Sequence, residues 1–141
     1  MYRHILAAID LEDNDSLNNV LREAIDQARK SSAQLSILTV VPGYGMNIVG
    51  QYFPKDFEEK LAEEAGKRLE KVARENVPDD IKVDEIVGNG TTYRVIIDMA
   101  KDRQVDLIVL GAHRPDLKDY LLGPTAARVV RHSNCSVLVV R

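Results

Sequence analysis

The chain has 141 residues, of which 45% are hydrophobic and 29% are charged, and this balance excludes a mainly disordered protein. A chain of this length is typical of one domain, so we expect residues 1–141 to form a single domain with its own core. The formal net charge of −3 provides no overall attraction for nucleic acid or for an anionic membrane. Since no apolar run reaches the ~18–20 residues of a membrane span, we expect neither nucleic acid nor membrane among the partners.

Two further features of the sequence bear on the compartment. The first ten residues do not have the layout of a signal peptide. Cys135 is the single cysteine, so it cannot form a disulfide within the chain. Both features favour a cytoplasmic protein.

Five apolar runs along the chain predict β-strands. They cover residues 2–9, 35–41, 81–87, 106–110 and 136–140. Unbroken aliphatic runs of this length are typical of parallel strands that are covered on both faces. The third run alternates and is more polar, which favours an edge strand.

Four helices are predicted between these runs, because apolar residues recur there at the i, i+3, i+4 spacing of a helix face. Their apolar positions are Leu17, Val20, Leu21, Ala24, Ile25 and Ala28; Phe57, Leu61, Ala65, Leu69 and Val72; Val95, Ile96, Met99 and Ala100; and residues 126–132. Thr91 or Thr92 is expected to cap the third helix, and Pro124 to lie where the fourth begins. On the exposed side of the second helix we expect three stabilising i, i+4 pairs, Glu63–Lys67, Glu64–Arg68 and Glu70–Arg74.

The alternation of strands and helices predicts an α/β fold of three layers, with helices on both faces of a five-stranded, parallel, Rossmann-like sheet. Right-handed crossovers limit the possible strand orders, and the order 3-2-1-4-5 places strands 1 and 4 side by side where the order reverses. Ligands of open α/β sheets bind beyond the carboxyl ends of the strands at such a reversal. The segments that follow strands 1 and 4 therefore form the predicted ligand site.

These segments carry residues suited to a nucleotide. Asp10 ends strand 1, where a carboxylate can accept hydrogen bonds from a ribose or an amine, or can simply hold a turn. Gly111 ends strand 4 and lets a ligand approach the backbone closely, unless it is an ordinary turn glycine. Residues 123–125 open the last helix, whose N–H groups and dipole suit a phosphate. Arg114 could neutralise that phosphate or be a surface residue. Their convergence at one end of one sheet predicts a ligand site.

The remaining candidates for chemistry have no matching motif. His4, His113 and His132 lack the close spacing of metal ligands, so we expect structural or surface roles, although His113 falls in the ligand loop. Cys135 has no neighbouring Cys or His motif and is interpreted as a small residue before strand 5. No Walker-type lysine and no Ser-His-Asp arrangement can be placed.

Two glycine-containing connections allow alternative interpretations. Residues 42–55 (PGYGMNIVGQYFPK) form a connection long enough for a functional flap, and a plain surface excursion is equally consistent with it. Residues 88–90 (GNG) end strand 3, and because that strand is predicted at the sheet edge we interpret them as a turn rather than a phosphate loop.

The sequence resembles the universal stress protein family over essentially its whole length. The resemblance is carried by the opening MYRHILAAID, by TVVPG after strand 2, by segment 111–125 and by the ending VVRHSNCSVLVVR. It implies a five-stranded parallel sheet of order 3-2-1-4-5. It also implies ATP binding, which many members achieve through a motif written G-x2-G-x9-G-(S/T).

The chain departs from that motif in its second half. Gly111 matches the first glycine, but Arg114 stands where the second is usual. Gly123 comes one residue early and is followed by Pro124 and then Thr125. The resulting form, G-x-x-R-P with LLG-P-T, looks like a shorter variant from a branch of the family that includes ATP binders. Pro124 removes one N–H donor from the phosphate site, and Arg114 is expected to replace it with charge.

The resemblance also implies the roles of individual positions. Expected at adenine, ribose and phosphates are Ala8, Ile9, Asp10, Thr39, Val40, Leu110, Gly111, His113, Arg114, Gly123, Pro124, Thr125 and Ala126. ATP is the implied cofactor, with Mg²⁺ bound mainly through the phosphates, and neither a catalytic residue nor a protein metal ligand is assigned.

The resemblance further implies homodimers joined through strand 136–140, with a tetramer as an alternative assembly. That strand would expose an apolar edge in a monomer. We thus expect a cytoplasmic, ATP-binding stress-response or signalling module. Two alternatives are a dimeric interaction protein without nucleotide and an enzyme, either a slow ATPase or an adenylyl-transferring relative.

Overall fold

The computed structural model of the chain describes residues 1–41, 56–112 and 122–141. Strands and helices alternate strictly along these residues. The strands are β1 (His4–Ala8), β2 (Gln34–Val41), β3 (Val83–Asn89), β4 (Leu107–Gly111) and β5 (Ser136–Val140), and the helices are α1 (Asn14–Ser31), α2 (Phe57–Asn76), α3 (Thr92–Asp102) and α4 (Pro124–His132). The connection 42–55, predicted as a flap or surface excursion, lies outside the described residues.

The five strands form one parallel sheet in the order β3-β2-β1-β4-β5, which confirms the predicted fold class and places the more polar β3 at an edge. Strands β1 and β4 pair only from Ile5 opposite Leu107 to Ala7 opposite Val109. Beyond that point β1 stays with β2, through an Ile9 N–H that donates to Leu38 O at 2.7 Å, while β4 stays with β5 as far as Gly111. The two central strands therefore separate at their carboxyl ends.

Apolar side chains cover both faces of the sheet and form two clusters. One cluster joins the sheet to α1 and α2 and includes Ile5, Leu35 and Val109. The other joins the opposite face to α3 and α4 and includes Leu6 and Ile108. All six apolar positions predicted for α1 are buried, as its 3.6-residue periodicity requires.

Some predicted boundaries differ from the structure for identifiable reasons. The first strand was predicted over residues 2–9 but begins at His4, because the N–H groups of Arg3 and His4 donate to the Asp106 carboxylate at 2.9–3.1 Å. The third strand begins at Val83 rather than at residue 81 and continues through Gly88, whose missing side chain leaves room for Val95 of α3.

The chain turns after β3 at Gly90, with φ of +132°, so a turn is present there as expected, although Gly88 and Asn89 belong to the strand. Thr91 is the N-cap of α3 without a side-chain hydrogen bond to the helix. Pro124 is the first residue of α4, as predicted, so this helix begins two residues before the predicted apolar segment 126–132.

The predicted ion pair between Glu64 and Arg68 is wrong. Arg68 instead extends from α2 to the loop after β1, where its Nη1 lies 2.7 Å from Glu12 Oε1 and its Nη2 donates to Leu11 O at 2.9 Å. Arg68 pairs with Glu12 and not with Glu64 of its own helix because α2 packs beside the loop after β1. Of the other two predicted pairs in α2, Glu70–Arg74 is present at 3.9 Å, whereas Glu63–Lys67 is not among its ion pairs within 4.0 Å.

Candidate functional site

A cleft of about 930 Å³ opens where β1 and β4 separate. Pockets for small ligands commonly have volumes of ~300–1,000 Å³. The described residues that line this cleft are Ala8, Ile9, Asp10, Glu12, Asp13, Asn14, Asp15, Ser16, Leu38, Thr39, Val40, Thr92, Ile96, Leu110, Gly111, Ala112, Gly123, Thr125 and Ala126. The topological reversal thus coincides with this cleft.

The predicted site residues converge on this cleft. Those in the described residues all line it except Pro124, which is exposed at the first position of α4. His113 and Arg114 lie outside the described residues. The structure therefore brings together residues from β1, β2, β4 and α4 that are far apart in sequence; the strand order predicted this for the segments after β1 and β4, and the family resemblance for the end of β2.

Asp10 organises the loop that forms one rim of the cleft. Its Oδ1 accepts a hydrogen bond from the Glu12 N–H at 3.0 Å, and its carbonyl accepts one from the Asp13 N–H at 3.2 Å. Asp13 in turn caps α1 by accepting from the Ser16 N–H at 3.1 Å. Asp10 therefore holds a turn, which was one of its two predicted roles. Its carboxylate is exposed and also lines the cleft.

Gly111 lies directly against the first turn of α1. A Cβ atom built at this position would collide with the Ser16 Oγ and would contact Val20 Cγ2 at 3.5 Å. The absence of a side chain therefore lets the first turn of α1 approach the end of β4 closely. Ser16 and Gly111 form adjoining parts of the cleft wall as a result.

The N-terminus of α4 presents a limited set of donors to the cleft. The Gly123 N–H donates to Ala112 O at 3.2 Å, and Pro124 has no N–H. The N–H groups of Thr125 and Ala126 lie in the first turn, where a helix provides no acceptor for them. Together with the Thr125 hydroxyl, these donors lie at one end of the cleft, and a helix N-terminus is a favourable position for an anion.

Residues of the α1 and α3 N-termini were missed as lining residues by sequence reasoning. Thr92 and Ile96 reach the cleft because α3 crosses back from the edge strand over β2. The close packing of Val95 on Gly88 sets the position of this helix. The only sign of this packing in the sequence is the glycine within the strand pattern. Glu12, Asp13 and Asp15 make the α1 rim acidic.

Several histidine and cysteine predictions can be placed on the structure. His4 lies at the opposite end of the sheet, where it contacts Ser36, and His132 is exposed in the last turn of α4. Cys135 is half-buried, and burial together with the charge of Asp106 raises the pKa of its thiol, which disfavours the reactive thiolate. Within residues 1–41, 56–112 and 122–141, the His, Cys, Asp and Glu side chains form no group of three or more that could hold a metal ion.

The comparisons with known proteins agree with this geometry. A family model described as "Universal stress protein family" matches residues 1–141. The chain belongs to the universal stress protein family.

Of the helices in the part of the chain that the structure describes, none is long and apolar enough to cross a membrane.

Individual members of the family match nearly the full chain. Universal stress protein A homolog 2 of Coxiella burnetii is 33% identical over 99% of this chain and 95% of its own length. Universal stress protein MJ0577 of Methanocaldococcus jannaschii is 32% identical over 86% of this chain and 75% of that protein. A solved structure of MJ0577 superposes with a TM-score of 0.83 at 29% identity, covering 99% of this chain and 96% of the other.

A further solved relative holds a nucleotide. This universal stress protein, crystallised in complex with cAMP, matches with a TM-score of 0.64 at 26% identity, covering 99% of this chain and 97% of the other. Structural neighbours of this chain therefore include an adenine nucleotide complex.

Proposed function

We propose that this universal stress protein binds ATP in the cleft between β1 and β4 and acts as a cytoplasmic stress-response or signalling module, its whole length forming one domain. The observation that carries the proposal is the convergence on one cleft of residues selected from sequence alone. The cAMP complex of a relative supports an adenine nucleotide as the ligand. Bound nucleotide would bias the conformation of the loops that it contacts.

The lining residues suggest how the nucleotide lies. Ala8, Ile9 and Asp10 are proposed at the adenine and ribose, and Thr39 and Val40 offer backbone groups at the end of β2 to the adenine edge. The nearly buried Ile9 and Thr39 give this end of the cleft an enclosed floor suited to a flat base.

The other wall is proposed to hold the ribose and phosphates. Leu110 and Gly111 lie beside the predicted path of the ribose and α-phosphate. The N–H groups of Thr125 and Ala126, the Thr125 hydroxyl and the positive end of the α4 dipole provide donors for a phosphate. The acidic α1 rim disfavours a bare triphosphate, so Mg²⁺ is proposed to accompany ATP and to be bound mainly through the phosphates.

Binding rather than turnover is the proposed activity. The hydroxyl groups in the described part of the cleft belong to Ser16, Thr39, Thr92 and Thr125, and the described lining contains no histidine or lysine that could act as their base. A slow ATPase remains the less favoured alternative on this ground.

A pair of matched substitutions tests the proposed position of the phosphates. Thr125→Val removes a donor hydroxyl from the cleft, and Thr91→Val makes the same change at the exposed N-cap of α3, where the hydroxyl makes no capping bond. A hydrogen bond to a charged group contributes ~1.5–3 kcal/mol, which corresponds to roughly ten- to a hundredfold in affinity. Calorimetry should show that loss for ATP with Thr125→Val, with adenosine affinity unchanged, and no loss with Thr91→Val. Equal ATP affinity in all three proteins would contradict the assignment.

The assembly proposed for the chain is a homodimer joined through β5. This strand ends the order of the described sheet, and its four apolar residues are all only partly buried. Val130 on the preceding helix is a further apolar residue that is 46% exposed. An unpaired apolar edge favours association, and pairing with a second copy would cover it. Should ATP fail to bind, this surface supports the alternative of a dimeric interaction protein.

A further inference from the structure

A polar network joins three strands at the end of the sheet opposite the cleft. The Ser36 hydroxyl, on a residue with 0% exposure in β2, lies 2.6 Å from His4 Nε2 and 2.5 Å from Asp84 Oδ1. His4 Nδ1 lies 3.1 Å from Arg103 O, at the end of α3. Arg103 Nη1 lies 2.7 Å from Asp84 Oδ2 and closes the network.

The serine occupies the middle of this arrangement, which therefore differs from a Ser-His-Asp catalytic triad. In a triad the histidine lies between the serine and the carboxylate. Here both His4 and Asp84 contact Ser36, whose burial withholds it from any substrate. Its members come from three separate strands, so no sequence motif joins them.

The three contacts of this network can all be hydrogen bonds only if it holds one proton more than a neutral His4, the Ser36 hydroxyl and an Asp84 carboxylate supply. Three contacts need a proton each: His4 Nδ1 to Arg103 O, His4 Nε2 to Ser36 Oγ, and Ser36 Oγ to Asp84 Oδ1. A carbonyl only accepts, a hydroxyl has a single proton, and a neutral imidazole also has a single N–H. The three bonds form together only when an additional proton is bound by His4 and Asp84 as a pair.

The surrounding charges favour placing that proton on His4. The Arg103 guanidinium holds Asp84 as a carboxylate from the α3 side, and Asp106, ahead of β4, accepts from the His4 backbone N–H. Among the described residues, Arg3 is a further charged group beside Asp106, and Cys135 is a titratable group close enough for the Asp106 charge to act on its thiol. With His4 as imidazolium, both its ring nitrogens donate, one to Arg103 O and the other to Ser36 Oγ.

We propose that His4, Ser36 and Asp84 form a proton-dependent clamp that fastens the edge strand β3 and the end of α3 to the central strand β1. Loss of the proton as the pH rises leaves three contacts with two protons, so one bond breaks. Either the buried Ser36 hydroxyl loses a partner or the Arg103 carbonyl does. The clamp holds β3 and α3 most firmly in acidified solution and releases them in alkaline solution, independently of any nucleotide.

The direct test is the protonation of the two His4 ring nitrogens, observed by long-range ¹H–¹⁵N correlation NMR on the wild-type protein. At the acidic side of a pH 5–9 series, both nitrogens should show the shifts of protonated nitrogen. As His4 loses its proton, the amides of Asp84 and Arg103 should shift with the same midpoint as the ring. A single protonated nitrogen at pH 5 would overturn the proposal, as would a ring titration that leaves those amides unmoved.

Unfolding in urea provides a second, independent readout. Ser36→Ala removes the central hydroxyl, and Thr39→Val removes another buried hydroxyl from the same strand outside the network. For each variant, the measured quantity is the ratio of its unfolding equilibrium constant to that of wild type. Proton linkage predicts that this ratio for Ser36→Ala changes by up to about tenfold per pH unit over the range in which the network loses its proton. Wild type should lose its stability advantage over Ser36→Ala as the pH rises, whereas the ratio for Thr39→Val should stay constant. A constant ratio for Ser36→Ala between pH 5 and 9 would overturn the clamp.

Discussion

The hydroxyl oxygen of Ser16 occupies the space that a Cβ atom on Gly111 would need. One residue belongs to the first turn of α1 and the other ends β4, and both line the cleft. A side chain at position 111 would therefore have to displace the Ser16 hydroxyl, and glycine leaves that space free for the first turn of α1.

A double-mutant cycle tests this relationship. Gly111→Ala should lower the free energy of unfolding by ~1–3 kcal/mol, since overpacking costs about that much. Adding Ser16→Ala should restore most of the loss, because the remaining neighbours, Val20 Cγ2 and Ser16 Cβ, lie at 3.5 and 3.7 Å. The control is Gly66→Ala in α2, where the nearest atom is 3.8 Å away and alanine should stabilise the helix. Additive losses in the Ser16 and Gly111 variants would contradict direct contact.

Arg68 is expected to order the rim of the cleft while contributing little to stability. Its ion pair with Glu12 is exposed, with half of the arginine side chain accessible, and such pairs contribute ~0–1 kcal/mol. Arg68→Ala should therefore shift the urea midpoint only slightly but accelerate hydrogen exchange at the Glu12 and Asp13 amides, because Leu11 O also loses its donor. Arg74→Ala, which removes a similarly exposed pair within α2, should leave those amides unchanged. Unchanged exchange in Arg68→Ala would show that the loop is ordered without it.

Asp106 should contribute stability at neutral pH that is lost in acid. Burial by itself raises the pKa of Asp106, but hydrogen bonds from the backbone N–H groups of Arg3 and His4 and the charge of Arg3 lower it below its ordinary value. A carboxyl whose pKa is lowered on folding stabilises the protein above its unfolded pKa, near ~3.9, and this stability disappears as the pH falls through the folded pKa.

The matching variant is Asp106→Asn, measured by urea unfolding from pH 7 to pH 2. It should be less stable than wild type by ~1–2 kcal/mol at pH 7, with the difference shrinking below about pH 4. A difference that is the same at pH 7 and pH 2.5 would mean that the carboxylate charge contributes nothing.

The proposed dimer through β5 can be tested by sedimentation velocity. Val139→Lys places a charge on the edge strand, and Val130→Lys does so on an exposed position of α4. Val139→Lys should sediment as a monomer, with circular dichroism reporting that it remains folded. Val130→Lys leaves the core intact and should weaken association if this side of α4 joins the interface. Wild-type protein that sediments as a monomer at high concentration would contradict the proposal outright.

The sheet and the position of the cleft could be predicted from sequence because they depend on local patterns. Aliphatic runs alternating with helical spacing define the strands and helices, and right-handed crossovers limit their order. The order 3-2-1-4-5, which the family resemblance also implies, places Asp10 and Gly111 at its reversal. Thr92 was missed because its place depends on how closely Val95 packs on Gly88. The partner of Arg68 was wrong because spacing along a helix cannot show which loop lies beside it. The network of His4, Ser36 and Asp84 depends on the register of three strands, which no single segment encodes.

An NMR titration of nucleotide-free, ¹⁵N-labelled protein with Mg²⁺ and ATP tests the proposed nucleotide binding most directly, because it reports both affinity and position. We expect saturable shifts with a midpoint in the micromolar range, concentrated at the amides of Asp10, Val40, Gly111, Thr125 and Ala126. Amides of Asp84 and Arg103, at the opposite end of the sheet, should remain unmoved. Spectra that do not change at millimolar ATP, or saturable shifts confined to residues outside the cleft, would contradict nucleotide binding at this site.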